Sequence, residues 1–209
     1  MPHRAPVLIK RGAEAELRRS EFLGRAAVEK VRTPKAYRLA ALDEELRRSR
    51  IRTEARLMAE ARAAGVSVPV LYDIDFEQNR IVMEFIDGPT AKEALDRRGP
   101  APATIARDIG RVVGRLHRAG IVHGDLTTSN MILRDGRLVM IDFSLGAKDR
   151  HSEARGVDLH LLREALTSAH ARAATYYREV VRGYREIMGH EADRVVATVK
   201  EIEARGRYT

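Results

Sequence analysis

The stretch "HGDLTTSN", His123 to Asn130, lies between an apolar helical pattern, "IARDIGRVVGRLHRAGI", and the short strand-like run "MIL" at Met131 to Leu133. It must therefore be a loop that joins a core helix to a core strand. Downstream, a second apolar run from Leu138 to Ile141 ends directly in "DFS", Asp142 to Ser144, and Asp135-Gly136 between the two runs is a hairpin signal. Helix, polar loop and tight hairpin in that order bring Asp125, Asn130 and Asp142 to one rim. Any fold open to this chain has to accommodate that rim.

Three oxygen-bearing side chains at such a place have a definite chemistry. Magnesium prefers one or two carboxylate or amide oxygens supplemented by phosphate oxygens and water. Asn130 and Asp142 are thus candidates to hold a metal, and Asp125 to contact an acceptor hydroxyl. The Asp125 to Asn130 spacing alone is weakly specific, since Asp125 could cap a helix and Asn130 could serve a turn. Followed by an apolar strand that ends in Asp-Phe, it becomes strong.

Upstream, "APVLIKRG", "AEAEL" and "FLGRAAVEKVR" are short mixed runs broken by Gly, which suits strands and hairpin turns. From Leu39 to Ala64 the period changes: Leu39, Leu42, Leu46, Ile51, Met58 and Ala61 recur at helical spacing, with Gly65 as the C-terminal stop and a candidate break near Ser49. Val70 to Phe76 and Arg80 to Phe85 are predicted strands around a turn at Gln78 and Asn79. Thr90 to Arg98 and Pro102 to Ala119 are predicted helices, broken at Gly99-Pro100 and stopped at Gly120. From Val157 onward only helices are expected. Strands with one helical insert, then helices carrying one hairpin, describe an α+β chain of two lobes, 1–86 and 87–209.

Composition narrows the chemistry. The 209 residues contain no Cys, which excludes disulfides, thiolate zinc sites and a Cys nucleophile and fits a reducing compartment. Lys and Arg number 38 against 30 Asp and Glu, a formal charge of +8 that favours phosphate-bearing or acidic partners, although a solvated basic surface has the same composition. Only six of the basic residues are Lys and 32 are Arg. No apolar window reaches the roughly 18 residues of a membrane span. A cytoplasmic protein with no membrane partner is the expectation.

The pair "HGDLTTSN" and "VMIDFS" resembles the catalytic loop and metal-binding motif of the protein-kinase-like fold. That resemblance implies a small N-terminal β-sheet lobe with helices, a mainly helical C-terminal lobe, and ATP and Mg²⁺ as cofactors. It further implies a strand lysine on the α- and β-phosphates, for which Lys30 in "AAVEKVR" is the candidate. Its helix partner would be Glu54 in "RTEARLMAEA", with Glu60 second. In "IVMEFIDG", Met83 would guard the back of the adenine pocket, and Glu84 and Ile86 would offer backbone hydrogen bonds to adenine. Gly12 in "KRGAEAEL" stands in for the phosphate-covering loop, which lacks the GxGxxG spacing. Asp125 and Lys30 are thus the catalytic candidates, Asn130 and Asp142 the metal ligands.

Two departures narrow the family. The loop carries HGD rather than HRD, so the Arg that senses a phosphorylated activation segment is missing. The activation segment itself is very short and has no APE. With "GAEAEL", "RTPKAYR", "LDEELRRSRIRTEARLMAEARAAGV" and "VDLHLLREAL", the whole chain resembles the small atypical kinase/ATPase subunit of the KEOPS complex, the PRPK-like family. The resemblance implies ATP hydrolysis in support of tRNA threonylcarbamoyladenosine modification, Ser/Thr protein kinase activity, and contact with the threonylcarbamoyltransferase subunit, other KEOPS subunits and tRNA. It also has Asp158 hydrogen-bonding the catalytic-loop backbone. Candidate contacts to RNA or partner are the "KVRTPKAYR" cluster and Arg205 and Arg207 in the tail.

Competing readings remain at this level. An aminoglycoside- or choline-kinase-like enzyme also uses an HGD loop, but it needs a larger helical lobe after Asp142. A pseudokinase scaffold that binds the transferase subunit and tRNA would leave the catalytic groups idle. Ser144 stands where Gly usually follows Asp-Phe, which puts the local backbone in question, with Gly146 a source of compensating freedom. Lys30 could be a snorkelling strand-end lysine, with Lys35 close by. Asp158 could simply cap its helix, and His123 is expected to brace the loop.

Overall fold

The computed structural model describes residues 6–97 and 101–206, so the Gly99-Pro100 break and Arg207 lie outside the described residues. The chain divides into two compact units: residues 1–56 with 69–86, and residues 57–68 with 87–209.

The first unit is built on a five-stranded antiparallel sheet of β1 (Val7–Arg11), β2 (Ala15–Phe22), β3 (Arg25–Arg32), β4 (Leu71–Asp75) and β5 (Arg80–Glu84), in the order β1-β2-β3-β5-β4. β3 is central, and Lys30 pairs with Leu17 of β2 on one side and Ile81 of β5 on the other. The β4–β5 turn closes on Asn79, which takes a left-handed φ of 50°. Asn and Asp tolerate that region better than other non-glycine residues.

Helix α1 (Ala40–Ala63) is continuous; Ser49 does not split it. Its apolar period is also shorter than the sequence pattern indicates. Ile51, Leu57, Met58 and Ala61 are buried, whereas Leu39 precedes the helix and is 80% exposed, and Leu42 is 50% exposed. The first turns are held by charge instead: Arg47 bonds Asp43 at 2.8 Å and Glu44 at 2.6 Å, and Arg48 bonds Glu44 at 2.8 Å. Such i,i+3 and i,i+4 pairs support helix where apolar packing does not.

The second unit is mainly helical. After α2 (Ala91–Leu95), whose N-terminus is closed by a reciprocal Thr90–Glu93 capping box, come α3 (Ala101–Arg118), α4 (Ser152–Ala169), α5 (Ala173–Met188) and α6 (Glu191–Gly206). Two small antiparallel pairs are embedded among them. β6 (Ile121–Val122) pairs with β9 (Ala147–Lys148), and β7 (Met131–Arg134) pairs with β8 (Arg137–Met140) through an Asp135-Gly136 turn with both φ values positive. The β6–β9 pair is too short to leave a periodic signal. No helix among the described residues is long and apolar enough to cross a membrane.

α3 and α5 form the closest helix pair, for a reason visible in two glycines. A Cβ at Gly110 would lie 1.9 Å from the Val180 carbonyl oxygen, and one at Gly183 would lie 1.9 Å from that of Arg107. The backbones therefore touch directly, with Ile109, Val113, Leu116, Val180 and Tyr184 buried beside them. Replacing Gly183 by Ala gains roughly 1 kcal/mol of helix propensity. It also forces the two backbones apart, at a cost of roughly 1–3 kcal/mol or more. We expect Gly183→Ala to lower the urea midpoint of unfolding, against the propensity trend, which a denaturation curve checks directly.

Candidate active site

In the first unit, strand alternation places Lys30 and Arg32, two residues apart on β3, on the same face of the sheet. Both meet Glu54 of α1. Lys30 Nζ donates to Glu54 Oε1 at 2.6 Å and Arg32 Nη2 donates to Oε2 at 2.7 Å. All three are buried, Glu54 completely. Removing one partner of such a buried cluster costs roughly 3–5 kcal/mol, because a charge is left without compensation. Glu60, the second candidate, is engaged by Lys148 at 2.7 Å instead. Lys35 donates to the Ala13 carbonyl and so ties down the link between β1 and β2, where Gly12 N–H also bonds the Ala15 carbonyl at 2.9 Å.

Arg32 was not singled out as a site residue in the sequence, and the two-residue spacing from Lys30 was the signal that could have found it. Its place also corrects one expectation: a member of the "KVRTPKAYR" cluster that is buried against Glu54 is not available to RNA. Arg38 of the same cluster bonds Asp43 at 3.4 Å. At the end of β5, Met83 and Ile86 are buried, and Glu84 closes the strand pair, its N–H bonding the Val70 carbonyl at 2.8 Å while its carboxylate accepts the Val70 N–H at 3.1 Å.

In the second unit the loop is organised by Asp158 of α4, which is buried. Its carboxylate accepts the N–H of His123 at 2.6 Å and of Gly124 at 2.8 Å, and it meets His117 Nε2 at 3.2 Å. His117 Nδ1 in turn lies 2.9 Å from the Tyr184 hydroxyl. Tyr184 donating to Nδ1 and Nε2–H donating to Asp158 satisfies every member of this chain. Burial pushes the Asp158 carboxyl upward, but the hydrogen bond from His117 and the two backbone N–H donors outweigh it and hold the group below the usual aspartate value. Asp158 is more than a helix cap, because its donors come from the loop and not from its own helix.

The glycine of HGD now has a physical cause. Gly124 adopts φ +76°, and a Cβ there would lie 2.1 Å from the Leu145 carbonyl oxygen. No side chain fits. His123 braces the neighbouring turn: its Nε2 bonds the Ile141 carbonyl at 3.0 Å and its ring packs on Phe143 with centroids 4.8 Å apart.

Asp125 and Asn130 are locked together. The Asn130 amide donates to the Asp125 carbonyl at 2.9 Å and to its Oδ2 at 2.8 Å. With its nitrogen so committed, the amide presents its oxygen away from Asp125. Asp142 takes a left-handed φ of 62°, while Ser144 has no positive φ. The concern over Ser144 is thereby resolved: the unusual backbone angle falls on Asp142, and the Ser144 hydroxyl and N–H both bond the Asp142 carboxylate. Gly146 likewise supplies close packing rather than freedom, since a Cβ there would lie 2.7 Å from Leu57 Cδ1 and 2.9 Å from the Val122 carbonyl. Residues 143–151 are all that separate Asp142 from α4. Among the described residues no group of three or more His, Cys, Asp or Glu could cage a metal. One carboxylate and one amide oxygen are instead the donor set that magnesium takes when phosphates and water complete its shell.

In the tail, Arg205 is bonded to Glu153 at 2.7 Å. That pair is exposed and of little energetic consequence.

Comparison with known proteins places this arrangement in a family. The RIO domain pattern matches residues 32–164, a span that contains Glu54, Asp125, Asn130, Asp142 and Asp158. The chain is 43% identical to the KEOPS complex subunit Bud32 of Pyrococcus abyssi over 210 residues, covering 96% of each chain. It is 43% identical over 203 residues to a probable bifunctional tRNA threonylcarbamoyladenosine biosynthesis protein of Methanobrevibacter smithii, covering 97% of this chain but only 37% of that longer protein. Among solved structures it is similar to the Rio2 kinase of Chaetomium thermophilum, crystallised as an ADP/Mg²⁺-phosphoaspartate complex, with TM-score 0.66, 17% identity and coverage of 95% of this chain and 66% of that one. At that identity the likeness is one of fold.

The Asp158 network makes a direct prediction. In Asp158→Asn an amide N–H₂ faces backbone donors, leaving buried N–H groups unsatisfied at roughly 1–3 kcal/mol each. We expect about 3 kcal/mol of lost stability by denaturant titration at neutral pH. Because the folded pKa is depressed, the contribution of Asp158 is fully present above its unfolded value of about 3.9 and is lost as pH falls through the folded value. The Asn variant should therefore narrow its deficit against the parent at the acid end of a stability profile.

Proposed function

Because the chain belongs to the RIO-domain family of kinase-like folds, we propose that it is a Mg-ATP-dependent phosphotransferase and ATPase that works in a KEOPS-type assembly on tRNA threonylcarbamoyladenosine formation. The observation that carries the proposal is the locked Asp125–Asn130 pair beside an Asp142 held in a special backbone conformation. The buried Lys30–Glu54 ion pair supports it from the other unit.

In this reading Lys30 neutralises the α- and β-phosphates, and Glu54, itself fixed by Arg32, sets where the ammonium sits. Met83, Glu84 and Ile86 bound the adenine, and the Gly12 link lies over the phosphates. Asn130 and Asp142 would hold Mg²⁺, whose charge would offset that of the phosphate oxygens. Asp125 orients the attacking water, or a Ser or Thr hydroxyl, and accepts its proton. Asn130 fixes the Asp125 carboxylate for that task. Little covalent chemistry is asked of the protein; positioning and charge neutralisation supply the rate. The short connection from Asp142 to α4 offers no long peptide cradle, which favours turnover completed by a partner, the threonylcarbamoyltransferase subunit. Cytoplasmic tRNA is the substrate of the assembly, with Arg205 and Arg207 as tail contacts.

The test is Mg²⁺-dependent ADP release by the purified chain, alone and with the transferase subunit and tRNA. Asp125→Ala should lower kcat by roughly 10²-fold or more while ATP affinity changes little, since a positioned general base contributes about 10²–10⁴-fold. Lys30→Met should raise KM for ATP as well. An Asp125→Ala protein that released ADP at the parent rate would refute the assignment, and ATP binding without turnover under every condition would leave a scaffold.

A further inference from the structure

The second unit carries a surface that the proposed reaction does not use. On α3, Arg107, Arg111, Arg115 and Arg118 recur at helical spacing on a single face. On α5, Arg178, Arg182 and Arg185 do the same. The close approach of the two helices at Gly110 and Gly183 merges the rows into one surface. Glu186 of α5 stitches the rows together, taking Arg107 Nε on one oxygen and Arg111 Nε on the other, each at 2.6 Å. Two grooves flank this ridge. One, of about 990 Å³, is lined by Arg107, Arg178, Arg182 and Arg185. The other, of about 510 Å³, is lined by Arg111, Arg115 and Arg137, the last from the β7–β8 turn.

The charge on this surface is not balanced internally. The nearby acids are already engaged: Asp108 by Arg111 at 2.7 Å, Glu179 by Arg182 at 3.3 Å, Asp193 by Arg185 at 2.9 Å, and Glu186 as above. Arg115, Arg118, Arg137 and Arg178 have no carboxylate partner among the described residues. Three of these four are exposed and Arg115 is half-buried. Arginine stays charged at any working pH, and its planar fork suits phosphate oxygens two at a time. From Arg107 to Arg118 the row rises about 16 Å, long enough to meet several phosphates in succession. None of the large exposed apolar side chains belongs to α3, α5 or the β7–β8 turn. Protein interfaces bury an apolar centre, whereas nucleic-acid interfaces are polar and strongly positive.

We propose that the arginine face of α3 and α5, extended by Arg137, binds the phosphate backbone of the RNA on which the chain acts. This inference rests on the reading that its assembly works on tRNA, and it names a contact surface distinct from Arg205 and Arg207 in the tail. The four arginines without acid partners are the ones that meet phosphates, and those paired to acids keep the ridge in shape.

The experiment compares the full chain with a variant carrying Arg115→Gln, Arg118→Gln, Arg137→Gln and Arg178→Gln, changes that break no ion pair and should leave thermal unfolding and RNA-free ADP release unchanged. Binding of a tRNA transcript is followed by fluorescence anisotropy across a salt series. The dissociation constant should rise at least roughly tenfold near about 100 mM salt, and the slope of log affinity against log salt should flatten by about three, as expected for four lost phosphate contacts. Lysine at the same four positions should restore most of the affinity. Unchanged tRNA affinity and salt slope in the Gln variant would overturn the inference and leave the proposed function standing. Retained tRNA binding with lost capture of the transferase subunit would overturn it in favour of a protein interface. A parent chain that turned over ATP but bound no tRNA at low salt would overturn it as well, whereas a parent that bound tRNA but never released ADP would fail the phosphotransfer reading alone.

Discussion

The buried carboxylate of Asp158 is the constraint from which the geometry of the second unit follows. Two elements that are separate in sequence, the end of α3 and the turn at His123 and Gly124, converge on its two oxygens, which helix α4 presents. A buried carboxylate is tolerable only when it is surrounded by donors, so the loop cannot leave without exposing a costly charge. Once His123 and Gly124 are pinned, Asp125 emerges at a fixed point. The Asn130 amide then removes its remaining freedom. The residue proposed to act on the attacking hydroxyl is thus held by two layers of hydrogen bonds, one to its backbone neighbours and one to itself.

The first unit solves a parallel problem with the opposite sign. There a lysine side chain must be oriented inside a sheet, and Glu54 does so only because it is itself fixed. A single Lys–Glu pair leaves both side chains some rotational choice. The second cation, Arg32, takes the other carboxylate oxygen, so Glu54 has one available orientation. Burial makes that rotamer choice costly to undo.

The parts of this arrangement that were legible in the sequence are those in which chemistry demands a residue type at a fixed offset. Asp125, Asn130 and Asp142 stand out because helix, loop and hairpin signals around them are strong and local. Lys30 and Glu54 could be paired only through the resemblance, since nothing local says which strand lysine faces which helix carboxylate. Arg32 was missed because a basic residue at a strand end ordinarily belongs to the surface. The first half of α1 misled for the reverse reason: Leu39 and Leu42 fall on an apolar period, yet Asp43, Glu44 and Arg47 decide what that segment does. The doubt over Ser144 arose from carrying a motif position across as a backbone angle. In this chain the left-handed conformation sits two residues earlier, where an Asp side chain tolerates it.

Net charge is the sequence property most easily overread, and here its distribution matters more than its sum. Several of the basic residues suggested as RNA contacts are spent inside the molecule, Arg32 on Glu54 and Arg38 on Asp43, and Arg205 is satisfied by Glu153. An arginine with an acid partner contributes little field at a distance, because its neighbour cancels it. The formal charge of +8 must therefore be sought where partners run out. On α3 and α5 the acids are exhausted before the arginines, although the helices are packed too closely through Gly110 and Gly183 for that excess to serve their own contact. A close backbone-to-backbone contact that asks nothing of Arg115, Arg118 and Arg178 is what leaves these guanidinium groups without acid partners on the two helices.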